Sequence, residues 1–177
     1  MSLERARSLI RDIPDFPQPG IVFKDLTPVI GDTAAYRATV DALEACARRL
    51  GVERVVAIES RGFLFGAPLA DRLKLGVAPV RKLGKLPYRT HRIEYALEYG
   101  TGVLEAHVDA VKKGERVVIV DDLLATGGTA WGAAQLVEKQ GGIVAGFLFV
   151  VELSALRGRE RLVFGEAAAP VEALLSL

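Results

Sequence analysis

Two adjacent carboxylates, Asp121 and Asp122, stand just ahead of the turn Thr126-Gly127-Gly128-Thr129. Carboxylates accept hydrogen bonds from hydroxyls and repel phosphate. A glycine-rich turn that opens a helix does the opposite, because its backbone N–H groups converge on one spot and favour an anion there. A ligand that suits both carries hydroxyls and a phosphate on one molecule, which describes a sugar phosphate. An ordinary strand-to-helix turn would account for the glycines and leave the acid pair without a reason.

The elements that must hold these groups read outward from them. The β-branched run leading into Asp121 predicts a buried parallel strand at 117–121. Apolar spacing from 129 to 140 predicts a helix, stopped at Gly141 and Gly142. Upstream, 3–12 reads as a short helix, 21–23 as an extended piece, 34–50 as an amphipathic helix and 54–59 as a strand. A helix at 63–73 and a strand at 78–81 follow, then an irregular, polar stretch at 86–104 and, past the central motif, an apolar strand at 143–151. Strands alternating with helices predict an α/β chain: an open, twisted, mostly parallel sheet with helices on both faces. Ligands of such sheets bind at the carboxyl ends of the strands.

Composition narrows the class. With 177 residues, half of them hydrophobic, the chain is expected to form one domain, 1–177, with a substantial core. A net charge of +1 without long runs of one sign argues against nucleic-acid and membrane surfaces. The start, Met1-Ser2-Leu3-Glu4-Arg5, has no apolar leader pattern, and no apolar run reaches membrane-spanning length, so a cytoplasmic location is expected. The lone Cys46 excludes an internal disulfide and sits at helical spacing with Leu43 and Leu50, which reads as a small buried hydrophobe. His91 and His107 lack partners at metal-ligand spacing, and His107 reads as exposed.

Three further segments could do chemistry. Glu59-Ser60-Arg61-Gly62-Phe63 repeats the plan of strand, acid, polar residue, glycine and helix, and Arg61 could clasp a second phosphate group. By position alone it reads equally well as a solvated turn. Arg81-Lys82-Leu83-Gly84-Lys85-Leu86-Pro87 puts three cations at the end of a strand; a Walker A loop is excluded, since Pro79 stands where its first glycine belongs. Within 86–104, Glu94 and Glu98 are rival carboxylates, and Gly100 and Gly102 could act as hinges of a lid.

The stretch Asp121-Asp122-Leu123-Leu124-Ala125-Thr126-Gly127-Gly128-Thr129 resembles the phosphoribosyl-pyrophosphate motif of the type I phosphoribosyltransferases, in the form typical of the adenine branch. Glu59 to Phe63 is similar to the branch's pyrophosphate loop, Arg81 to Pro87 to its Arg-Lys-x-Gly-Lys-Leu-Pro signature, and Leu97-Glu98-Tyr99-Gly100 to its catalytic loop. Phe16-Pro17-Gln18-Pro19-Gly20-Ile21-Val22-Phe23-Lys24-Asp25 resembles the purine hood, with Lys24 in place of the commoner Arg. Read from residues alone, that last segment could also be a proline-rich turn holding the N-terminal helix to the body, and the two roles could coexist.

The resemblance implies the type I phosphoribosyltransferase fold, with a hood at about 1–33 and a flexible catalytic loop at 86–104. It implies the reaction adenine + 5-phosphoribosyl 1-pyrophosphate → AMP + pyrophosphate, in purine salvage, with Mg2+ held by substrate and water and no direct protein ligand. Asp121 and Asp122 would hold the ribose hydroxyls, and Ala125, Thr126, Gly127, Gly128 and Thr129 the 5′-phosphate. Glu59, Ser60, Arg61, Lys85 and Arg81 fall to pyrophosphate, with a cis peptide between Glu59 and Ser60. Arg81 could also act across a homodimer interface. Glu98 would serve as acid/base near adenine N7, Tyr99 as cover, and Val22, Phe23 and Lys24 as the base pocket. The other readings are a hypoxanthine, guanine or xanthine enzyme, and a phosphoribosyl-pyrophosphate-sensing regulator, which the short segment ahead of the hood disfavours.

Overall fold

The computed structural model describes residues 3–96, 101–165 and 168–177. The chain divides into two compact units, 1–42 and 43–177. In the first, helix α1 (Leu3–Leu9) is followed by strands β1 (Arg11–Pro14) and β2 (Val22–Asp25), a short helix α2 (Thr27–Gly31) and the start of α3 (Thr33–Leu50). The helix expected over 3–12 ends early because its last residues pair instead: Arg11 to Pro14 lie antiparallel to Val22 to Asp25. Cross-strand ion pairs Arg11–Asp25 and Lys24–Asp12, each 2.7 Å, fasten that hairpin. Helix α2 was not anticipated; Pro28 sits in its first turn, where a missing N–H costs nothing. Asp32 starts α3 by accepting the N–H of Ala35 at 2.9 Å.

The second unit carries a seven-stranded sheet. Its strands are β3 (Arg54–Ile58), β4 (Gly76–Lys82), β5 (Thr90–Ala96), β6 (Thr101–His107), β7 (Arg116–Leu124), β8 (Ile143–Glu152) and β9 (Val171–Ser176), in the order β5-β6-β4-β3-β7-β8-β9. From β4 to β9 the pairing is parallel, and β6 joins β4, and β5 joins β6, antiparallel. Helix α4 (Arg61–Leu73) lies on the face bearing Val55 and Ala57, where Gly66 comes so close that an added Cβ would stand 2.6 Å from that of Ala57. On the other face Val56 and Ile58 join the core built around Ala133, Leu136 and Val137 of α5 (Gly128–Lys139). This two-sided burial is what the unbroken apolar runs of β7 and β8 require.

Several expectations need correction. The stretch 86–104 is not irregular throughout: it contains β5 and the start of β6. Ile93 and Tyr95 point inward while Arg92 and Glu94 face solvent, the pattern of a charged edge strand. Strand β9 was missed as well. Strand β7 runs on to Leu124, so both aspartates belong to the strand. Cys46 is half-buried rather than a core residue, with an Arg49 guanidinium nitrogen 3.4 Å from its sulfur. His107 is half-buried, with Nε2 shielded and Tyr88 packed edge-on at 5.9 Å.

The sheet order contains a switch point. From β3 the chain moves outward to β4, then returns to the other side of β3 as β7. Ala57 pairs with Val120, so the carboxyl ends of β3 and β7, carrying Glu59 and Asp121, open side by side. A crevice at such a reversal is where sheets of this class bind ligands.

Candidate active site

At that crevice lies a cavity of about 460 Å³, lined by Glu59, Ser60 and Arg61 from the β3 end and by Asp121, Asp122 and Leu123 of β7. Asp122 is buried, and its Oδ2 meets Arg61 Nε at 2.5 Å. Asp121 is half-buried, faces the cavity, and accepts the Asp122 N–H on Oδ1 at 2.8 Å. Burial, and then the charge of Asp122, push the Asp121 carboxyl well above the usual carboxylate range. Asp121 therefore holds a proton more readily than an exposed aspartate does. Gly62 lets the start of α4 pack closely on the end of β7: a Cβ there would stand 2.9 Å from both Asp121 Oδ1 and the Val120 carbonyl oxygen.

Beyond the acids, a smaller cavity of about 70 Å³ is enclosed by the turn Ala125, Thr126, Gly127, Gly128 and Thr129. Gly127 precedes α5 with φ +80°, a left-handed conformation that favours glycine. No side chain caps α5 and no acid occupies its first turn, so its leading N–H groups suit an anion. The turn is backed by a 3-10 segment, Gly158–Arg161. A Cβ at Gly158 would stand 2.2 Å from the Ala125 carbonyl oxygen, and one at Gly127 would stand 2.5 Å from that of Gly158. The cradle is thus backbone packed on backbone.

The opposite wall is built from side chains. Glu59 accepts from Arg81 Nε and Nη2 at 3.2 and 3.3 Å and from the Lys82 N–H at 3.0 Å. Burial acts to raise this carboxyl, but Arg81, the Lys82 N–H and Lys85 outweigh it and hold Glu59 below its ordinary value. Arg81 Nη1 also donates to the Lys85 carbonyl at 3.0 Å. Lys82 and Lys85 are exposed, and Lys82 lines the cavity with Tyr95 and Leu104. Tyr95 is opposite Gly102 across the β5–β6 pair; a Cβ on that glycine would stand 2.7 Å from the ring.

Residues 52–163 match the family model of the phosphoribosyl transferase domain. Curated relatives include an adenine phosphoribosyltransferase of Thermoanaerobacter sp., 55% identical over 92% of this chain and 94% of that protein. Another, from Kosmotoga olearia, is 51% identical over 88% and 92%. The crystal structure of adenine phosphoribosyltransferase from Thermoanaerobacter pseudethanolicus superposes with a TM-score of 0.94 at 50% identity, covering 99% of this chain and 100% of that one. The chain belongs to the adenine phosphoribosyltransferase family. The yeast member, solved with adenine and an imino-altritol bisphosphate, has a TM-score of 0.89 at 38% identity and covers 98% of each chain.

Within this family frame, the structure brings together Glu59, Ser60, Arg61, Asp121, Asp122, Ala125 and Thr129 around one crevice. The Glu59–Ser60 peptide is cis, as the resemblance implied. Glu98 and Tyr99 lie outside the described residues, while the rival Glu94 is exposed on β5. In the hood, a separate cavity of about 210 Å³ is lined by Ile13, Phe16, Phe23 and Asp25. The Phe16 and Phe23 rings meet edge-to-face at 5.2 Å. Val22 is half exposed, and the Lys24 ammonium is turned to Asp12.

The residues that sequence reasoning passed over are Lys82, Tyr95, Leu104, Gly158 and Glu105. For Lys82, its place between two singled-out cations was a usable signal. Gly158 lies far from the cradle along the chain, and nothing local marks it.

Proposed function

We propose that this chain transfers the 5-phosphoribosyl group to adenine, giving AMP and pyrophosphate, as a pentosyltransferase of purine salvage. The observation that carries this reading is the acid pair facing the crevice beside a backbone anion cradle at the sheet's switch point. Family membership supplies the base.

Loss of pyrophosphate from ribose C1 passes through an oxocarbenium-like state, which needs nearby negative charge and exclusion of water. Asp121 and Asp122 accept hydrogen bonds from the ribose hydroxyls and stabilise the developing positive charge. The N–H groups of Ala125, Thr126, Gly127, Gly128 and Thr129 seat the 5′-phosphate. Ser60, Arg61 and Lys85 receive the leaving pyrophosphate, with Glu59 and Arg81 holding that wall in shape. Glu98 acts as acid/base near adenine N7, Tyr99 covers the reacting centre as part of a lid formed from 86–104, and Val22, Phe23 and Lys24 hold the base. This is one catalytic domain, 1–177, in which the hood occupies about 1–33.

Mg2+ fits the donor set only as a passenger of the substrate. Among the described residues no three metal-ligating side chains cluster. Asp122 is paired with Arg61 and Glu59 with Arg81, so two of the three carboxylates lining the cavity already face a protein cation. Such a site suits an ion coordinated mainly by phosphate oxygens and water. Bound there, it would neutralise charge on the departing pyrophosphate.

We read the enzyme as a cytoplasmic homodimer. Among the described residues no helix is long and apolar enough to cross a membrane, and exposed Leu64 and Leu83 are suited to a partner surface. Pyrophosphate release measured base by base with Mg2+ tests the reaction. Adenine should far outpace hypoxanthine, guanine and xanthine, and equal rates with any of these would overturn the assignment.

A further inference from the structure

Glu105 is a carboxylate with 1% exposure in the middle of β6, behind the basic turn rather than on the cavity wall. A buried carboxylate persists only when its oxygens are met by donors. Here Oε1 accepts two consecutive backbone N–H groups, those of Lys85 at 3.0 Å and Leu86 at 3.1 Å. Oε2 accepts the Thr90 hydroxyl at 3.3 Å and lies 3.5 Å from Arg92 Nε, both on β5. One side chain thus ties the turn after β4 to the root of the β5–β6 pair.

The same turn is gripped from its other side. Glu59 holds Arg81 and the Lys82 N–H, and Arg81 holds the Lys85 carbonyl. The Lys85 backbone is therefore pinned at its oxygen by Arg81 and at its nitrogen by Glu105, while its side chain stays exposed. Gly84, at φ +78°, lets the chain reverse between the two anchors. A carboxylate beside a pyrophosphate site would ordinarily repel the ligand. Glu105 avoids that because its charge is buried and turned onto N–H groups. Burial acts to raise its pKa, and the N–H groups of Leu86 and Lys85, with the Thr90 hydroxyl and Arg92, together outweigh this and hold it below its ordinary value.

We propose that Glu105 is a positioning residue for pyrophosphate, one that fixes the Lys82 to Leu86 turn so that its lysines face the leaving group. The proposal rests on the reading of Lys85 as a pyrophosphate contact. It requires an acceptor of Glu length at 105, and not a charge as such. Glutamine keeps the length and one oxygen for the paired N–H groups, whereas aspartate keeps the charge and falls short by a methylene.

The test is titration of the full-length protein with inorganic pyrophosphate plus Mg2+ and, separately, with AMP. Glu105→Asp and Glu105→Leu should weaken pyrophosphate binding about tenfold, the scale of losing the paired hydrogen bonds that hold the turn. Glu105→Gln should stay within about twofold of the parent, and AMP affinity should stay within about twofold throughout. If the Leu variant does not fold, the Asp and Gln pair decides. Pyrophosphate affinity unchanged in Asp, equal losses for AMP, or Gln falling with Asp would each overturn the proposal. Lys85→Ala separates the two layers. If it weakens pyrophosphate while the Glu105 series does not, only the role of Glu105 fails. If Lys85→Ala changes nothing, the pyrophosphate reading of the turn fails and takes this proposal with it.

Discussion

The two walls of the crevice are built on opposite plans. The cradle at 125–129 is main chain against main chain, with Gly127 and Gly158 at separations that no side chain could share. The basic turn is the reverse, a run of cations held in place by carboxylates at 59 and 105. A backbone cradle offers a fixed array of N–H groups and tolerates no added atom. A side-chain wall tolerates substitution in proportion to the hydrogen bonds lost. Between them, the acid pair at 121 and 122 carries an electrostatic cost that the carboxylates of the turn do not: Asp121 is raised, whereas Glu59 and Glu105 are lowered.

The sharpest way to separate the regions is Asp121→Asn. Turnover should fall by about a thousandfold, as expected for a group that stabilises transition-state charge. At neutral pH the same variant should melt a few degrees higher, because the substitution relieves a buried like-charge contact. A lower melting point would show that the pair stabilises the fold.

Next in size is Gly158→Ala, remote from the ligand and yet 2.2 Å from the Ala125 carbonyl oxygen once the Cβ is built. AMP affinity should drop on the order of tenfold and stability by about 1–3 kcal/mol, the usual range for forced overpacking. Pyrophosphate affinity should not follow. Equal loss of both ligands would mean that the two walls are not independent.

Arg81→Lys attacks the other wall. A lysine cannot bridge Glu59 and the Lys85 carbonyl together as the guanidinium fork does, so pyrophosphate should weaken several-fold, on the order of 1 kcal/mol, with AMP unaffected.

The smallest effect is in pH dependence, where the signs oppose. Asp121 binds its proton more tightly folded than unfolded, so its contribution is most favourable in acid and declines as pH climbs through its raised value. Glu59 and Glu105 stabilise above their unfolded values, about 4.3, and that support disappears as pH falls through their lower folded values. Melting curves of Asp121→Asn and Glu59→Gln across acid pH should diverge from the parent in opposite directions.

The same contrast governs what could be read in advance. The cradle was legible because its chemistry is local: β-branched residues into acids, glycines, then a helix, all contiguous. The edge strand β5 was obscured because Arg92 and Glu94 occupy its solvent face and give the segment the composition of a loop. Strand β9, in Val171 to Ser176, has too little alternation to announce itself, and pairing with β8 defines it. Glu105 and Gly158 act on segments distant along the chain, through strand register and close packing, which no local pattern encodes.

The central claim is that Asp121 and Asp122 grip the ribose while main-chain N–H groups hold its phosphate. A crystal structure of the full-length chain soaked with AMP tests it directly. The account predicts both ribose hydroxyls within hydrogen-bonding distance of these carboxylates, and the 5′-phosphate on the N–H groups of residues 125–129. Carboxylates turned away from the sugar, or a phosphate seated elsewhere, would contradict it.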